Sequence, residues 1–153
     1  MKIISQAVNG TEDLNQLQSN EIKALALFYK AFNERDIELM QKSWLTSDEI
    51  SMDNPVGGIK RGWNEIKSVY EKIFFGKAEV YVEFYDYTIH STADMFFVTG
   101  RERGYFKTEN DSIELAIRTS RIFIKRDDQW KQIHHHGSID NPKLLMEYQN
   151  LVK

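Results

Sequence analysis

Residues 95–139 read MFFVTGRERGYFKTENDSIELAIRTSRIFIKRDDQWKQIHHHGSI, and this stretch decides the fold. Three runs in it, Met95 to Phe106, Ile113 to Lys125 and Trp130 to Ile139, are rich in β-branched and aromatic residues, which suit a pleated strand. Between them lie Thr108-Glu109-Asn110-Asp111 and Asp127-Asp128-Gln129, short polar stretches with turn chemistry. A further β-rich run, Val80 to His90, comes before them and ends at Ser91-Thr92-Ala93-Asp94. Connections this short join antiparallel neighbours, because a parallel pair needs a crossover of roughly a dozen residues or more. The four runs therefore read as an antiparallel meander.

Upstream the apolar period changes from two to between three and four. Between Glu21 and Phe32, residues Ile22, Leu25, Ala26, Phe28, Tyr29 and Phe32 mark one face of a helix that could begin as early as Leu14. Asp36 is placed to cap a shorter helix carrying Ile37, Met40 and Trp44. Ile50 and Met52 alternate with polar neighbours in a short strand, which Asn54-Pro55-Val56-Gly57-Gly58 breaks. A third helix runs from Gly62 to about Phe75, with Trp63, Ile66, Val69, Tyr70, Ile73 and Phe74 on its stripe. The order α-α-β-α-β-β-β-β is an α+β plan, with helices on one side of a sheet. Residues 1–13 read as a flexible leader, and residues 14–153 as a single domain. The long strands are apolar on both faces, so helices should cover one face and a second subunit the other. We expect a homodimer or higher homo-oligomer through that outer face.

Composition removes several functional classes. The 153 residues contain no cysteine, which excludes disulfides, thiolate zinc sites and thiol nucleophiles. Twenty Lys and Arg against 23 Asp and Glu leave a net charge of −3, with no basic stripe, so nucleic acid is not an expected partner. No apolar run approaches the roughly 20 residues that span a bilayer. The N-terminal residues carry no secretory signal, which points to a cytoplasmic protein.

Among the polar residues, Arg101 and Arg121 stand amid apolar neighbours near the middle of adjacent strands. Such arginines either fork onto a ligand carboxylate or phosphate, or pair internally, with Glu65, Glu71, Glu83 or Asp53 as candidate partners. Asp53, beside the Asn54-Pro55 turn, is placed for general-base work or for capping that turn. Strand alternation in His134-His135-His136 sends His135 to one face and its neighbours to the other. The outer two could share a zinc ion if Asp140 or a second subunit supplied more ligands, but spacing specifies no third ligand, so no metal and no cofactor is expected. Tyr29 and Tyr70 are candidates to line a cleft and offer a phenol to a ligand.

Three segments carry a family resemblance: Ala31-Phe32-Asn33-Glu34-Arg35-Asp36, then Asn54-Pro55-Val56-Gly57-Gly58 through Gly62-Trp63, and finally Trp130-Lys131-Gln132-Ile133-His134-His135-His136-Gly137-Ser138. Together they resemble the SnoaL-like branch of the nuclear transport factor 2-like superfamily. The last segment is similar to the closing strand of the association domain of calcium/calmodulin-dependent protein kinase II. The resemblance implies a cone-shaped α+β barrel, with helices packed in the concave face of a curved antiparallel sheet and a pocket at its open end. It also implies that Arg101 and Arg121 line that pocket with His135, while the position of a third arginine of the kinase domain falls at Gly137. Ketosteroid isomerase belongs to the same superfamily, but its base position falls at Asn54, its oxyanion tyrosine at Phe28 and its protonated aspartate near Ser120 or Arg121. Isomerase chemistry by those groups is not expected.

Two functions follow as expectations. The first is an oligomeric binding domain holding a small carboxylate-like anion through Arg101, Arg121 and His135, with Tyr29 and Tyr70 nearby. The second is a small-molecule enzyme of isomerase, cyclase, dehydratase or hydrolase type, with His135 or Asp53 as general base.

Overall fold

The computed structural model describes residues 2–152. In chain order its elements are α1 (Asn20–Asn33), α2 (Ile37–Ser43), β1 (Ser51–Asp53), β2 (Lys60–Arg61), α3 (Gly62–Phe74), β3 (Glu79–Ser91), β4 (Met95–Lys107), β5 (Ser112–Arg126), β6 (Gln129–Ser138) and α4 (Pro142–Leu151). The strands form one curved, unclosed sheet in the order β2-β1-β6-β5-β4-β3. The meander is present as β3 to β6, and side chains cap the first two helices. Ser19 accepts the Ile22 N–H at the start of α1, and Asp36 accepts the Leu39 N–H at the start of α2. Two elements go beyond the sequence reading: the two-residue β2 and the C-terminal α4. In addition, β1 runs parallel to β6, with Ser51 opposite His134 and Asp53 opposite His136. Among the described residues, no helix is long and apolar enough to cross a membrane.

Turn length fixes which side chains face the concave side. Four residues separate Lys107 from Ser112, which face each other across the hairpin, so odd positions of β4 lie opposite even positions of β5. Arg101 is therefore opposite Arg118, while Arg121 is opposite Val98. The two arginines expected to form a fork project from opposite faces of the sheet. Asp127 and Asp128, at φ 51° and 61°, make the two-residue turn into β6, the left-handed pair that a tight hairpin requires. Further along, the register shifts by one residue at Ile133. That bulge places His135 opposite Arg121 on the concave side and turns His134 and His136 outward.

The β-rich character of both faces of β3 has a similar cause. A bulge between Tyr85 and Thr88, with Asp86 at φ 51°, lets Phe84 and Tyr87 both enter the core. The outer edge of this strand is occupied at Val82, Phe84 and Tyr87. Asn33 donates through Nδ2 to the Val82 carbonyl at 2.8 Å and accepts the Val82 N–H at 3.0 Å. Val8 exchanges two backbone bonds with Phe84, at 2.8 and 2.9 Å, and Ile4 exchanges two with Tyr87, at 2.7 and 3.1 Å. The segment read as a flexible leader is thus pinned to β3, because the edge amides and carbonyls need partners. Asn33→Ala strips Val82 of both partners and also frees the Asn9 carbonyl, which Asn33 holds at 2.9 Å. A loss of about 2 kcal/mol is expected in chemical denaturation, whereas exposed Gln41→Ala on α2 should change little.

Candidate functional site

The concave face of the sheet does not fill completely. A cavity of about 710 Å³ remains between the strands, α1, α3 and the Asn54–Gly57 turn, with Tyr148 and Leu151 of α4 and the following Val152 along its wall. The volume matches that of pockets for drug-sized molecules. Its sides are largely apolar, with Phe32, Met52, Ile73, Val82, Leu115 and Ile117 among the lining residues. Gln149 on α4 donates to the Val56 carbonyl at 3.1 Å, which ties that helix to the turn.

The polar residues of the cavity centre on Arg121, which is 2% exposed and lies on the concave face of β5. Its Nη2 is 3.3 Å from Glu102 Oε2, its Nη1 donates to Gln132 Oε1 at 2.7 Å, and its Nε is 3.4 Å from the Tyr29 hydroxyl. The guanidinium also sits 3.7 Å above the Phe28 ring. Glu102 is equally enclosed: Tyr29 donates to its Oε2 at 2.8 Å and Thr119 to its Oε1 at 2.7 Å. Burial opposes the charge on Arg121, but the Tyr29 and Glu102 oxygens beside it more than offset that, and its pKa stays above the ordinary arginine range. Burial pushes the Tyr29 hydroxyl well above its usual range and Tyr70 up to about 12. Both phenols are neutral donors at physiological pH.

His135 differs from its neighbours in having no partner. The ring lies in the cavity wall, and neither Nδ1 nor Nε2 meets a hydrogen-bonding atom. Burial first, and then the positive charge of Arg121, push its pKa well below the usual histidine value. The result is a neutral imidazole with one donor and one acceptor unspent beside an arginine whose charge is matched by Glu102. Gly137, one step along the same face, leaves room for the turn. A β-carbon there would come within 3.1 Å of Pro55 Cγ and 3.3 Å of His135 Nε2, so a side chain at this position would press on the turn and on the imidazole.

The residues singled out in the sequence separate into two groups. Arg121, His135 and Tyr70 line the cavity, and Tyr29 stands behind them, holding both members of the ion pair. Arg101 lies outside, 52% exposed, with Nε 3.1 Å from Asp86 on the convex face. Asp53 is also on the convex side, where its Oδ2 is 3.2 Å from His136 Nδ1. It therefore does not share a site with His135, and the cavity contains no two-arginine fork. Sequence reading missed Glu102, Thr119 and Gln132. The even loop between β4 and β5 could have revealed Glu102, since it places that carboxylate and Arg121 on one face. Asn54 and Phe28 do line the cavity, so no carboxylate stands at the position of the isomerase base.

A family model for the SnoaL-like domain matches residues 22–142. Among solved structures, a putative dehydratase of the NTF2-like family from Streptomyces avermitilis superposes with a TM-score of 0.67 at 24% identity, covering 75% of this chain and 90% of that one. A putative calcium/calmodulin-dependent protein kinase type II association domain from Thiobacillus denitrificans gives 0.60 at 19% identity, covering 76% and 91%. A curated relative, the F-box protein SKIP8 of Arabidopsis thaliana, is 21% identical over 150 residues. That alignment takes in 95% of this chain but only 58% of the relative's length. The matched span takes in most of the chain, which belongs to the SnoaL-like domain family and shares its fold with these NTF2-like structures.

Proposed function

We propose that this protein binds a small, largely apolar molecule whose single oxygen function turns toward His135. The observation that carries this reading is the buried imidazole with both nitrogens unpartnered, in a cavity whose walls are mainly apolar, with Lys60, Lys72 and Lys77 also among the lining residues. A ligand carbonyl or hydroxyl would satisfy it. The charge of Arg121 is already matched by Glu102, so a neutral oxygen completes the site without adding an uncompensated buried charge. A carboxylate ligand, as first expected from the arginine pair, would have to compete with Glu102 for the same guanidinium.

A matched set of probes tests this: 2-acetylnaphthalene, 2-naphthol and 2-naphthoate, compared by thermal shift. The two neutral probes should raise the melting midpoint. His135→Leu should weaken them about tenfold, the value of one buried hydrogen bond of roughly 1.4 kcal/mol. Ile117→Trp, which fills the cavity, should abolish the shift, while Arg101→Ala should leave it intact. A shift given by naphthoate alone, or one that survives Ile117→Trp, overturns the reading.

The unpartnered neutral imidazole also favours a second reading, in which the bound molecule is turned over with His135 as general base. Turnover of enolisable ketones that disappears in His135→Leu and persists in Arg101→Ala supports it, and turnover unchanged by His135→Leu removes it. We further propose that copies of the chain associate through the convex face, where Met95, Phe97, Ile122 and Ile124 adjoin in register. Light scattering at micromolar concentration should show a mass above the 18.0 kDa of one chain. A species of that mass alone overturns the association.

A further inference from the structure

The convex face holds a second cluster that the cavity does not use. Parallel pairing sets Ser51 beside His134 and Asp53 beside His136, so that two side chains from each strand project side by side from the outer surface. The coordinating atoms of Asp53, His134 and His136 all lie within 4.8 Å of one another. Ser51 Oγ is 2.8 Å from His134 Nδ1. When that nitrogen carries its proton toward the hydroxyl, the lone pair of His134 is at Nε2. This is how a neighbouring oxygen fixes the tautomer of a ligating histidine. Asp53 and His134 are half-buried and His136 is exposed, so the cluster is held firmly on one side and open to solvent on the other.

We propose that Asp53, His134 and His136 form a binding site for a divalent ion of the zinc class, with Ser51 orienting His134. Two imidazoles and a carboxylate are the donor set of a three-ligand zinc site that keeps a further position for water. They also select against calcium and magnesium, which take oxygen ligands. The ion would link β1 to β6 from outside. It would thereby hold in place the strand that carries Met52 into the cavity wall and leads into the Asn54–Gly57 turn. No protein atom has to cross the sheet, because the site and the cavity lie on opposite faces of the same two strands.

The test uses untagged, chelator-treated protein titrated with zinc chloride in a calorimeter. One ion per chain is expected. His134→Gln with His136→Gln should abolish binding, Asp53→Asn should weaken it at least tenfold, and Ser51→Ala should weaken it about tenfold as an orienting residue. His90→Gln should leave it unchanged, since that ring stacks on Phe97 at 5.2 Å away from the cluster. Histidine ring resonances give an answer that does not depend on the variants folding: zinc should shift those of His134 and His136 and leave those of His90 in place. Equal binding by the wild type and the double variant, ring shifts at His90 as large as those at His134, or an adventitious ion only, bound without stoichiometry, overturns the proposal.

Discussion

Glu102→Ala should lower the stability of this protein by about 3–5 kcal/mol, the cost of leaving one member of a buried ion pair alone. The substitution leaves the Arg121 guanidinium, 2% exposed, without its carboxylate. It also deprives the Tyr29 and Thr119 hydroxyls of their acceptor. For a chain of this length each kcal/mol corresponds to roughly 2–4 °C in melting midpoint, so the effect should be plain in a calorimetric scan. The double variant Glu102→Leu with Arg121→Met should recover most of the loss, because replacing a buried pair by apolar groups of similar volume is often neutral. A double variant as unstable as Glu102→Ala would mean that the pair itself, rather than the orphaned charge, stabilises the fold.

Gly104→Ala should also be severe, for a steric reason. A β-carbon at this position in β4 would run into the backbone carbonyl of Tyr81 in β3, and backbone on a neighbouring strand cannot swing aside as a flexible side chain can. The two strands would have to separate where Gly104 faces Val82. Overpacking of this kind costs about 3 kcal/mol at its upper end, and equilibrium denaturation in urea measures it. Gly58→Ala is the contrast, since nothing lies within 4 Å of a β-carbon there and only its φ of +77° opposes the change. The smaller loss at Gly58 separates backbone conformation from collision.

Most of the architecture was legible because its signals are local. The apolar period changes at Gly76, polar turns delimit each long strand, and Asp36 caps its helix through a hydrogen bond spanning three residues. Face assignment was harder because parity depends on register, and register depends on counting loop residues and on bulges. The four-residue β4–β5 turn could be counted, and it places Arg101 outside and Glu102 inside. The Ile133 bulge that brings His135 opposite Arg121 has no comparable mark, since an extra strand residue looks like any other apolar residue. Asp53 illustrates a different limit. Its position beside His136 comes from the parallel pairing of β1 and β6, which are separated by the rest of the sheet in sequence. The C-terminal helix, with no residue fully buried and a modest apolar stripe, gave too weak a pattern to stand apart from a tail.

The occupied edge of β3 restricts how many copies of this chain can come together. An open strand edge is a template onto which another chain can add, and from there growth can continue without limit. Here Asn33, Val8 and Ile4 take up successive positions along β3. At the other end of the sheet β2 offers only Lys60 and Arg61, two cationic residues on a strand too short to guide an incoming one. Neither end of the sheet can propagate. Growth by strand addition is therefore disfavoured, and removal of residues 1–9 is expected to open the edge positions at Phe84 and Tyr87 to an incoming strand.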